Sequence, residues 1–129
     1  MIYKKSWKYI LIKMHNHYTF YQLKAVKDFS DVKRGDFGGY ISNYHNLSQS
    51  GDCWIYDSAI VRDKARVSKN AKVSDYAIVR ANAFITGNAK ISGNAEISEN
   101  AQVYDNAKVT DSAKISGNVR IYGNTIRIV

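Results

Sequence analysis

The stretch that decides the fold is SGNAEISENAQVYDNAKVTDSAKISGN, residues 92–118, which repeats one pattern every six residues. In each repeat a small residue is followed by a variable residue, then by Val or Ile, and then by a short polar segment. The pattern extends along the chain in both directions. Ala stands at every sixth position from 59 to 113, and Val or Ile stands at every sixth position from 55 to 121.

This spacing excludes a helix and favours short strands. Six residues advance an α-helix by about 600°, so successive Val or Ile side chains would lie roughly 120° apart around it. In an extended segment, two residues separated by one other residue lie on the same face. The small residue and the Val or Ile therefore share the inner face of a strand. The polar pairs between them form corners, because Asn and Gly tolerate a left-handed backbone.

Three such repeats close one triangular coil of about 18 residues, and coils stack at the strand spacing of about 4.8 Å. The pattern over residues 53–122 resembles the hexapeptide-repeat family of left-handed parallel β-helices. The resemblance implies an all-β, left-handed parallel β-helix of about four coils, above the minimum of about three repeats for a continuous core. Near the C-terminus Arg127 falls on an interior position, so we expect the last strand to shift register or to pair with another segment.

The first fifty residues have a different pattern. KYILIK at 8–13 and YTFYQLKAV at 18–26 predict two strands, and DVKRGDFGGY at 31–40 is rich in turn-forming residues. We therefore predict two parts. Residues 1–50 form a basic, Tyr-rich leader, folded as a β-hairpin or small sheet that caps the first coil, and residues 51–129 form the solenoid.

The join between the two parts carries a second resemblance. Residues 23–59, LKAVKDFSDVKRGDFGGYISNYHNLSQSGDCWIYDSA, resemble the entry segment of the YdcK-like bacterial and phage β-solenoid proteins. In that group a basic, aromatic-rich leader passes through a Gly-Gly turn and a Cys-Trp pair into the repeats. The resemblance implies this architecture and a phage or prophage origin. It implies no chemistry, since members of the group are commonly left without a defined activity.

Composition limits the setting and the partners. A length of 129 residues suits one domain or one repeat array with a small extra piece. Cys53 is the only cysteine, which excludes an intramolecular disulfide and favours a reducing, cytoplasmic setting. With the phage or prophage origin that the resemblance implies, this would be the cytoplasm of a bacterial host. The early apolar run YILI is too short for a signal peptide or a membrane span. The net charge of +8 raises the expectation of a polyanionic partner.

Catalysis is not expected from these residues. The best-known hexapeptide-repeat proteins are acyltransferases, and the resemblance implies an acyl-CoA or acyl carrier and a His general base between subunits of a trimer. Such a base must lie near the hydroxyl that it deprotonates. Residues 46–129 contain no His and no inserted loop. We therefore predict no catalytic residues and no cofactor, with a degenerate acyltransferase-like protein as an alternative.

A metal site and a phosphate loop are not expected either. Carbonic anhydrases of this repeat type hold zinc with three converging His from the coils. The three His of this chain, 15, 17 and 45, all precede the repeats. His15 and His17 could share a strand face, but a polar hairpin tip is the better interpretation. RGDFGGY lacks the Gly-Lys-Ser/Thr ending of a phosphate loop, so we interpret it as a turn.

The outward positions recur once per coil, at every third repeat, and so form three faces. The lysine face has a central row and a second row beside it: Trp54, Lys72, Lys90 and Lys108, with Tyr56, Ser74, Ser92 and Thr110. The row of lysines, which we call the lysine ladder, would attract an acidic partner or phosphates. Lysines on a sheet face also keep it soluble and discourage stray pairing, which is the alternative.

The other two faces are less basic. The isoleucine face has the row Ile60, Ile78, Glu96 and Lys114, with Arg62 and Arg80 alongside. We expect it to seat residues 1–50, with a subunit contact as the alternative. The tyrosine–arginine face has the row Arg66, Phe84, Gln102 and Arg120, with Ser68, Thr86, Tyr104 and Tyr122 beside it. Its residue types are enriched where proteins bind proteins, and they also stack on single-stranded nucleic acid. Contact between copies in a dimer or trimer is the alternative there.

Together these patterns predict a non-catalytic, phage-type or prophage-type β-solenoid that binds a macromolecular partner, in the first place a protein. A concrete version is an inhibitor of a host defence factor such as a CRISPR effector. Direct nucleic-acid binding through the basic face is the second hypothesis, and a degenerate acyltransferase is the third. The predicted binding residues are Trp54, Tyr56, Lys72, Lys90 and Lys108 on the lysine face, and Arg66, Phe84, Tyr104, Arg120 and Tyr122 on the tyrosine–arginine face.

Overall fold

The computed structural model describes residues 4–14 and 17–129. The longest strands in this part of the chain all lie near the N-terminus: β1 (Tyr9–Met14), β2 (His17–Ala25) and β3 (Phe37–Ile41). β1 pairs antiparallel with β2, and β2 pairs antiparallel with β3. The predicted N-terminal hairpin is confirmed. A short 3-10 turn, Tyr44–Asn46, follows β3.

The hexapeptide repeats form two-residue strands in which an outward residue precedes an inward one. They are β4 (Trp54–Ile55), β5 (Ile60–Val61), β6 (Arg66–Val67), β7 (Lys72–Val73), β8 (Ile78–Val79), β9 (Phe84–Ile85), β10 (Lys90–Ile91), β11 (Glu96–Ile97), β12 (Gln102–Val103), β13 (Lys108–Val109), β14 (Lys114–Ile115), β15 (Arg120–Ile121) and β16 (Ile126–Arg127). The inward Val or Ile of β4 to β15 is at most 3% exposed, and so is each Ala of the repeat. The predicted interior is therefore confirmed.

These strands stack in parallel on the three sides of the coil and so form three sheets, the first of which the antiparallel strands β1 to β3 extend. The first sheet has the order β1-β2-β3-β5-β8-β11-β14, the second β6-β9-β12-β15, and the third β4-β7-β10-β13-β16. Within the repeats, each strand pairs with the third strand after it, as Lys72 with Lys90 and Glu96 with Lys114 show. The spacing of the three outward rows is thus as the sequence predicts, and the chain is a parallel β-solenoid.

The solenoid has one turn more than the regular repeats supply. β3 pairs parallel with β5, and Leu47 forms a parallel bridge with Val67, so both belong to a first turn that β4 completes. Ile41 pairs with Val61 and Leu47 with Val67, and more residues separate each of these pairs than separate Val61 from Val79 in the next turn. The third sheet has five strands, one for each of five turns. The solenoid therefore begins in β3, before the boundary that we expected after residue 50.

Gly38 and Gly39 allow β3 to enter the solenoid. A Cβ on Gly39 would lie 2.6 Å from the backbone oxygen of Ala59 and 2.6 Å from Cγ2 of Ile55. A Cβ on Gly38 would lie 2.6 Å from the backbone oxygen of Ile55. The clashes are with backbone that cannot move away, so this close approach requires residues without a side chain.

The corners differ from the prediction in one respect. The left-handed residue is the first of each corner pair, for example Asp63 with φ 58° and Ala81 with φ 57°, and not the Asn that often follows. An Asp at this position accepts the backbone N–H of the corner one turn later, as Asp63 Oδ2 does from Ala81 at 3.0 Å. A second-position Asn can also bond along the stack, as Asn70 Nδ2 does to Asn88 Oδ1 at 3.4 Å. Asn therefore ties the corners together and does not make the left-handed turn.

A pair of alanine-to-glycine variants tests this corner assignment. Ala81→Gly removes a left-handed cost of about 1–2 kcal/mol and adds unfolded-state entropy worth about 0.4–1 kcal/mol, so we expect a gain of about 0.5 kcal/mol. Ala83→Gly, two residues later, removes a buried methyl group worth about 0.8 kcal/mol and adds the same entropy. It should destabilise the protein. Urea denaturation measures both, and shifts of the same sign would refute the assignment.

The C-terminal strand meets the second of our two expectations: it pairs with another segment and does not shift register. β16 pairs with β13 so that Ile126 faces Lys108 and Arg127 faces Val109. Arg127 therefore occupies an interior column at the open end of the stack, where it is only partly buried. The last turn exposes several apolar side chains: Val119, Tyr122, Ile126, Ile128 and Val129.

No helix in residues 4–14 and 17–129 is long and apolar enough to cross a membrane.

Candidate partner-binding faces

The third sheet positions the predicted lysine ladder. β4, β7, β10 and β13 place Trp54, Lys72, Lys90 and Lys108 in one row, with directly paired Cα positions. Lys90 and Lys108 are exposed. A groove of about 410 Å³ runs beside them, and its other side is formed by Asn70, Asn88 and Asn106.

Trp54 does not belong to this surface, and its prediction as a partner-binding residue was wrong. Its side chain is 1% exposed. The Phe29 ring meets it edge-on at a centroid distance of 5.2 Å, and the Tyr9 ring does so at 6.2 Å. Trp54 points away from the coil as the spacing predicts, but the leader covers it. It is a core residue between the leader and the first turn.

Tyr56 and Lys72 are also engaged by the leader. The Tyr56 hydroxyl donates to Asp31 Oδ1 at 2.7 Å, and Lys72 Nζ lies 3.8 Å from the same oxygen. Lys72 Nζ also donates to Ser30 Oγ at 3.3 Å. Burial, together with the bond to Asp31, raises the pKa of Tyr56, while the hydrogen bond from Tyr56 lowers the pKa of Asp31. The leader loop therefore docks on the first rungs of the lysine face.

The isoleucine face is not the seat of the leader. Ile60 pairs with Tyr40 on one side and Ile78 on the other, so the leader strands extend this sheet at its edge and do not lie on its face. A small apolar groove of about 210 Å³ lies where Ile60 meets Met14 and Phe20 of the hairpin. Edge pairing replaces the predicted packing because β3 supplies a strand that the repeat pattern did not reveal.

Acidic corners flank the lysine ladder. Asp57, Asp75 and Asp111 are exposed along the corner on one side, and Asp52 and Asp105 are exposed on the other. The lysine row thus lies between corners that carry carboxylates, although Lys69 adds one positive charge to the second corner. A broad polyanion would meet these carboxylates as well as the lysines, which disfavours the second hypothesis of nucleic-acid binding through this face.

The tyrosine–arginine face carries exposed rings. β6, β9, β12 and β15 place Arg66, Phe84, Gln102 and Arg120 in one paired row. Phe84 is 37% exposed and Tyr122 is 55% exposed. The rings of Tyr104 and Tyr122 stack at a centroid distance of 5.5 Å with planes 13° apart. The face therefore offers apolar ring surface next to exposed guanidinium groups.

Sequence reasoning missed the buried Lys8. It is 1% exposed, and its Nζ donates to the backbone oxygens of Cys53 at 2.6 Å and Gly51 at 3.2 Å. The same Nζ lies 3.3 Å from Cys53 Sγ and 5.0 Å from the centroid of the Phe29 ring. Burial lowers the pKa of Lys8 and raises the pKa of Cys53. Lys8 ties the leader to the first turn, and nothing in KKSWKY distinguishes it from its exposed neighbours.

This buried amine makes stability depend on pH. The folded chain releases the Lys8 proton below the ordinary lysine pKa of 10.5, while the unfolded chain still holds it. The unfolded state then binds more protons, so stability should rise with pH in that interval. Because the raised Cys53 pKa acts in the opposite direction above 9.0, the measurement belongs in a Cys53→Ala background. The raised pKa values of Tyr9 and Tyr56 also lower stability at high pH, but they do so in both variants. Urea denaturation from neutral pH upward should therefore show the chain with Lys8 gaining stability relative to Lys8→Met as the pH rises; equal slopes would contradict the assignment.

The histidines show no converging set in the part of the chain that the structure covers. His45 is exposed, and its Nε2 lies 2.8 Å from the backbone oxygen of Asp63. The predicted hairpin-tip residue His15 and the side chain of His17 lie outside the described residues. Among those described, no group of three His, Cys, Asp or Glu side chains could hold a metal ion.

The fold and its outer rows define the class of this protein, a parallel β-solenoid built from hexapeptide repeats. The family model described as the YdcK Beta solenoid repeat matches residues 113–127. A protein of Escherichia coli (strain K12) called "Uncharacterized acetyltransferase YdcK" is 50% identical over 36 residues, which are 28% of this chain. The matched stretch covers 11% of that relative's length. The resemblance to YdcK-like solenoid proteins is thereby confirmed.

Proposed function

We propose that this β-solenoid is a scaffold that binds a partner protein through its tyrosine–arginine face. The observation that carries the proposal is a set of rings in two adjacent rows: Phe84 stands in the row that ends at Arg120, and the stacked Tyr104–Tyr122 pair stands in the row beside it. Tyr and Arg supply most of the binding energy at many protein interfaces.

The rigidity of the face supports the same proposal. Its side chains stand on four paired strands of a continuous stack, and the stacked rings of Tyr104 and Tyr122 restrict each other. Side chains that are ordered before binding lose less conformational entropy when a partner arrives. Ser68 and Thr86, whose hydroxyl oxygens lie 2.8 Å apart, continue the row of Tyr104 and Tyr122 toward the leader. The face is therefore preorganised over several turns.

The test compares variants of the whole chain as bait in a bacterial lysate. Tyr122→Ala should reduce recovery of a specific partner by about thirty-fold, since losing an aromatic hot-spot side chain costs about 2 kcal/mol. Tyr76→Ala is the matched control, because Tyr76 is 69% exposed on a different corner. Equal recovery with both variants would refute a role of this face. Recovery of further copies of the chain alone would assign the face to a dimer or trimer, and light scattering would confirm that outcome.

In its most specific form, the partner is a host defence factor such as a CRISPR effector, and the chain is a phage or prophage product. Because the chain has a net charge of +8, we expect it to bind an acidic surface of such a factor and not its positively charged nucleic-acid channel. A purified effector should lose activity when the chain is added and keep it with the Tyr122→Ala variant. Full activity with both would rule this form out.

Acetyl transfer is a second candidate, favoured by the name of the Escherichia coli relative. It predicts that acetyl-CoA binds the chain, which isothermal titration calorimetry measures directly. Saturable binding would favour this candidate over a scaffold. The absence of any heat of binding would remove it.

A further inference from the structure

We propose that the groove between the asparagine and lysine rows of the lysine face binds an acidic protein segment. The face differs from the tyrosine–arginine face, so this inference stands or fails independently of the proposed function. Its partner chemistry is a run of carboxylates held by the ammonium groups of Lys90 and Lys108.

These two lysines lack an acidic partner within the described residues. The ion pairs found in that part of the chain join Lys72 to Asp31 and Arg62 to Asp63. Lys90 and Lys108 are directly paired on neighbouring strands, about 4.8 Å apart. Like charges placed opposite each other across strands destabilise a sheet, so a carboxylate between them would relieve an existing repulsion.

The leader shows how an acidic residue occupies one rung of this ladder. Asp31 Oδ1 lies 3.8 Å from Lys72 Nζ, and Ser30 Oγ accepts from the same ammonium at 3.3 Å. The loop thus fills the rung nearest the N-terminal end of the solenoid. The next two rungs, Lys90 and Lys108, continue the same row and are open to solvent. An external segment that continues this path would repeat the Asp31 contact twice.

The groove supplies further donors for carboxylates. It has a volume of about 410 Å³, and it is lined by the ammonium groups of Lys72, Lys90 and Lys108 and by the side-chain amides of Asn70, Asn88 and Asn106. Ser30 and the Asp52 carboxylate complete the lining at the end nearest the leader, so the carboxylates of a bound segment would lie over the later rungs, Lys90 and Lys108. The first two amides are held in place, since Asn70 Nδ2 donates to Asn88 Oδ1 at 3.4 Å and Asn70 Oδ1 accepts from the Asp52 backbone at 3.3 Å. Ordered amides beside charged amines suit a carboxylate that accepts several hydrogen bonds.

The charge pattern favours a protein segment over a nucleic acid. The acidic corners that contain Asp57, Asp75 and Asp105 would repel a backbone that is negative throughout its width. A peptide can place carboxylates over the lysines and neutral or basic residues over the corners. A helix fits the spacing best. Its residues at i and i+4 lie about 5–6 Å apart, close to the rung spacing, whereas same-face residues of an extended strand lie about 6.6 Å apart.

The experiment measures fluorescence anisotropy of a labelled, alanine-based helical peptide with three Glu spaced four residues apart. It uses the full chain at about 0.01 M and about 0.15 M ionic strength. Lys90→Gln with Lys108→Gln should weaken binding by about ten-fold at the lower salt. Lys64→Gln with Lys114→Gln is the matched control, since it removes the same charge from other faces. It should leave the affinity within about two-fold.

A second pair of variants tests the rung that the leader occupies. Asp31→Asn should strengthen peptide binding because it frees Lys72, while Glu99→Gln makes the same charge change on a distant corner and should not. A peptide with Gln in place of Glu should not bind. Absence of binding by the Glu peptide, or equal losses in both double variants, would overturn the inference. Tighter binding of a short oligothymidine through the same lysines would also overturn it and assign the groove to nucleic acid.

Discussion

Replacing Trp54 by alanine should lower the free energy of unfolding by about 3–5 kcal/mol. The indole is 1% exposed and packs against Phe29 and Tyr9, so its removal leaves a cavity between the leader and the first turn. Neighbouring groups cannot collapse into this space easily, because Gly38 lies against the ring and carries no side chain. Urea denaturation followed by circular dichroism measures the loss.

The control for Trp54 is Tyr76→Ala, which truncates an aromatic residue that is 69% exposed. It should change stability by no more than about 0.5 kcal/mol. Similar small effects on stability for both variants would contradict the burial of Trp54. They would indicate that it lies on the outer surface, where its sequence spacing alone would place it.

Ile97→Ala should cost about 2–5 kcal/mol. Ile97 is fully buried in the interior column of the first sheet, with Val79 one turn before it and Ile115 one turn after it. Because each turn of a solenoid contacts only its neighbours, we expect the loss of stability to affect mainly the few turns at the C-terminal end of the stack. Hydrogen exchange should therefore accelerate most in the last two turns, while the leader and the first turn stay protected.

Glu96→Ala is the matched control in the same two-residue strand. Glu96 points outward and Ile97 inward, so the pair separates loss of the core from loss of strand propensity. We expect Glu96→Ala to stay within about 0.5 kcal/mol of the parent chain. An equal loss from both substitutions would contradict the assignment of inner and outer faces.

The interior of the solenoid could be predicted because its pattern is local. A spacing of two and then four residues decides which side chains of a repeat share a face, and Ile97 and Val79 follow directly from it. The recurrence of each outward position at every third repeat then sorts the outer rows, so the lysine and tyrosine–arginine faces needed no knowledge of distant contacts. The irregular first turn escaped prediction because Ile41 and Leu47 pair with Val61 and Val67 at a longer spacing than the repeats have.

The environment of Trp54 and Lys8 could not be predicted in this way. The repeat places Trp54 outside the coil correctly, but Phe29 and Tyr9, which cover it, come from a leader without a repeat. Lys8 becomes buried through contacts with Gly51 and Cys53, which are distant from it in the sequence. Such contacts depend on how the leader folds over the first turn, and no periodicity encodes that.

The sequence pattern identifies the charged corner residues only as turn formers and does not show where their carboxylates lie relative to the lysines. Asp57, Asp75 and Asp111 provide left-handed corners, and they also place carboxylates next to the lysine ladder. A count of outward residues beside each Val or Ile therefore overstated the basic character of that face. The same corners are what favour a narrow acidic segment over nucleic acid in the groove.

The most direct test of the proposed scaffold function is site-specific photo-crosslinking with p-benzoylphenylalanine at position 122, with position 76 as the control. Tyr122 and Tyr76 are both exposed, but only Tyr122 lies on the tyrosine–arginine face. The account predicts that position 122 crosslinks to one partner protein in the bacterial lysate and that position 76 does not. Crosslinks from position 122 only to other copies of the chain, or equal products from both positions, would contradict it.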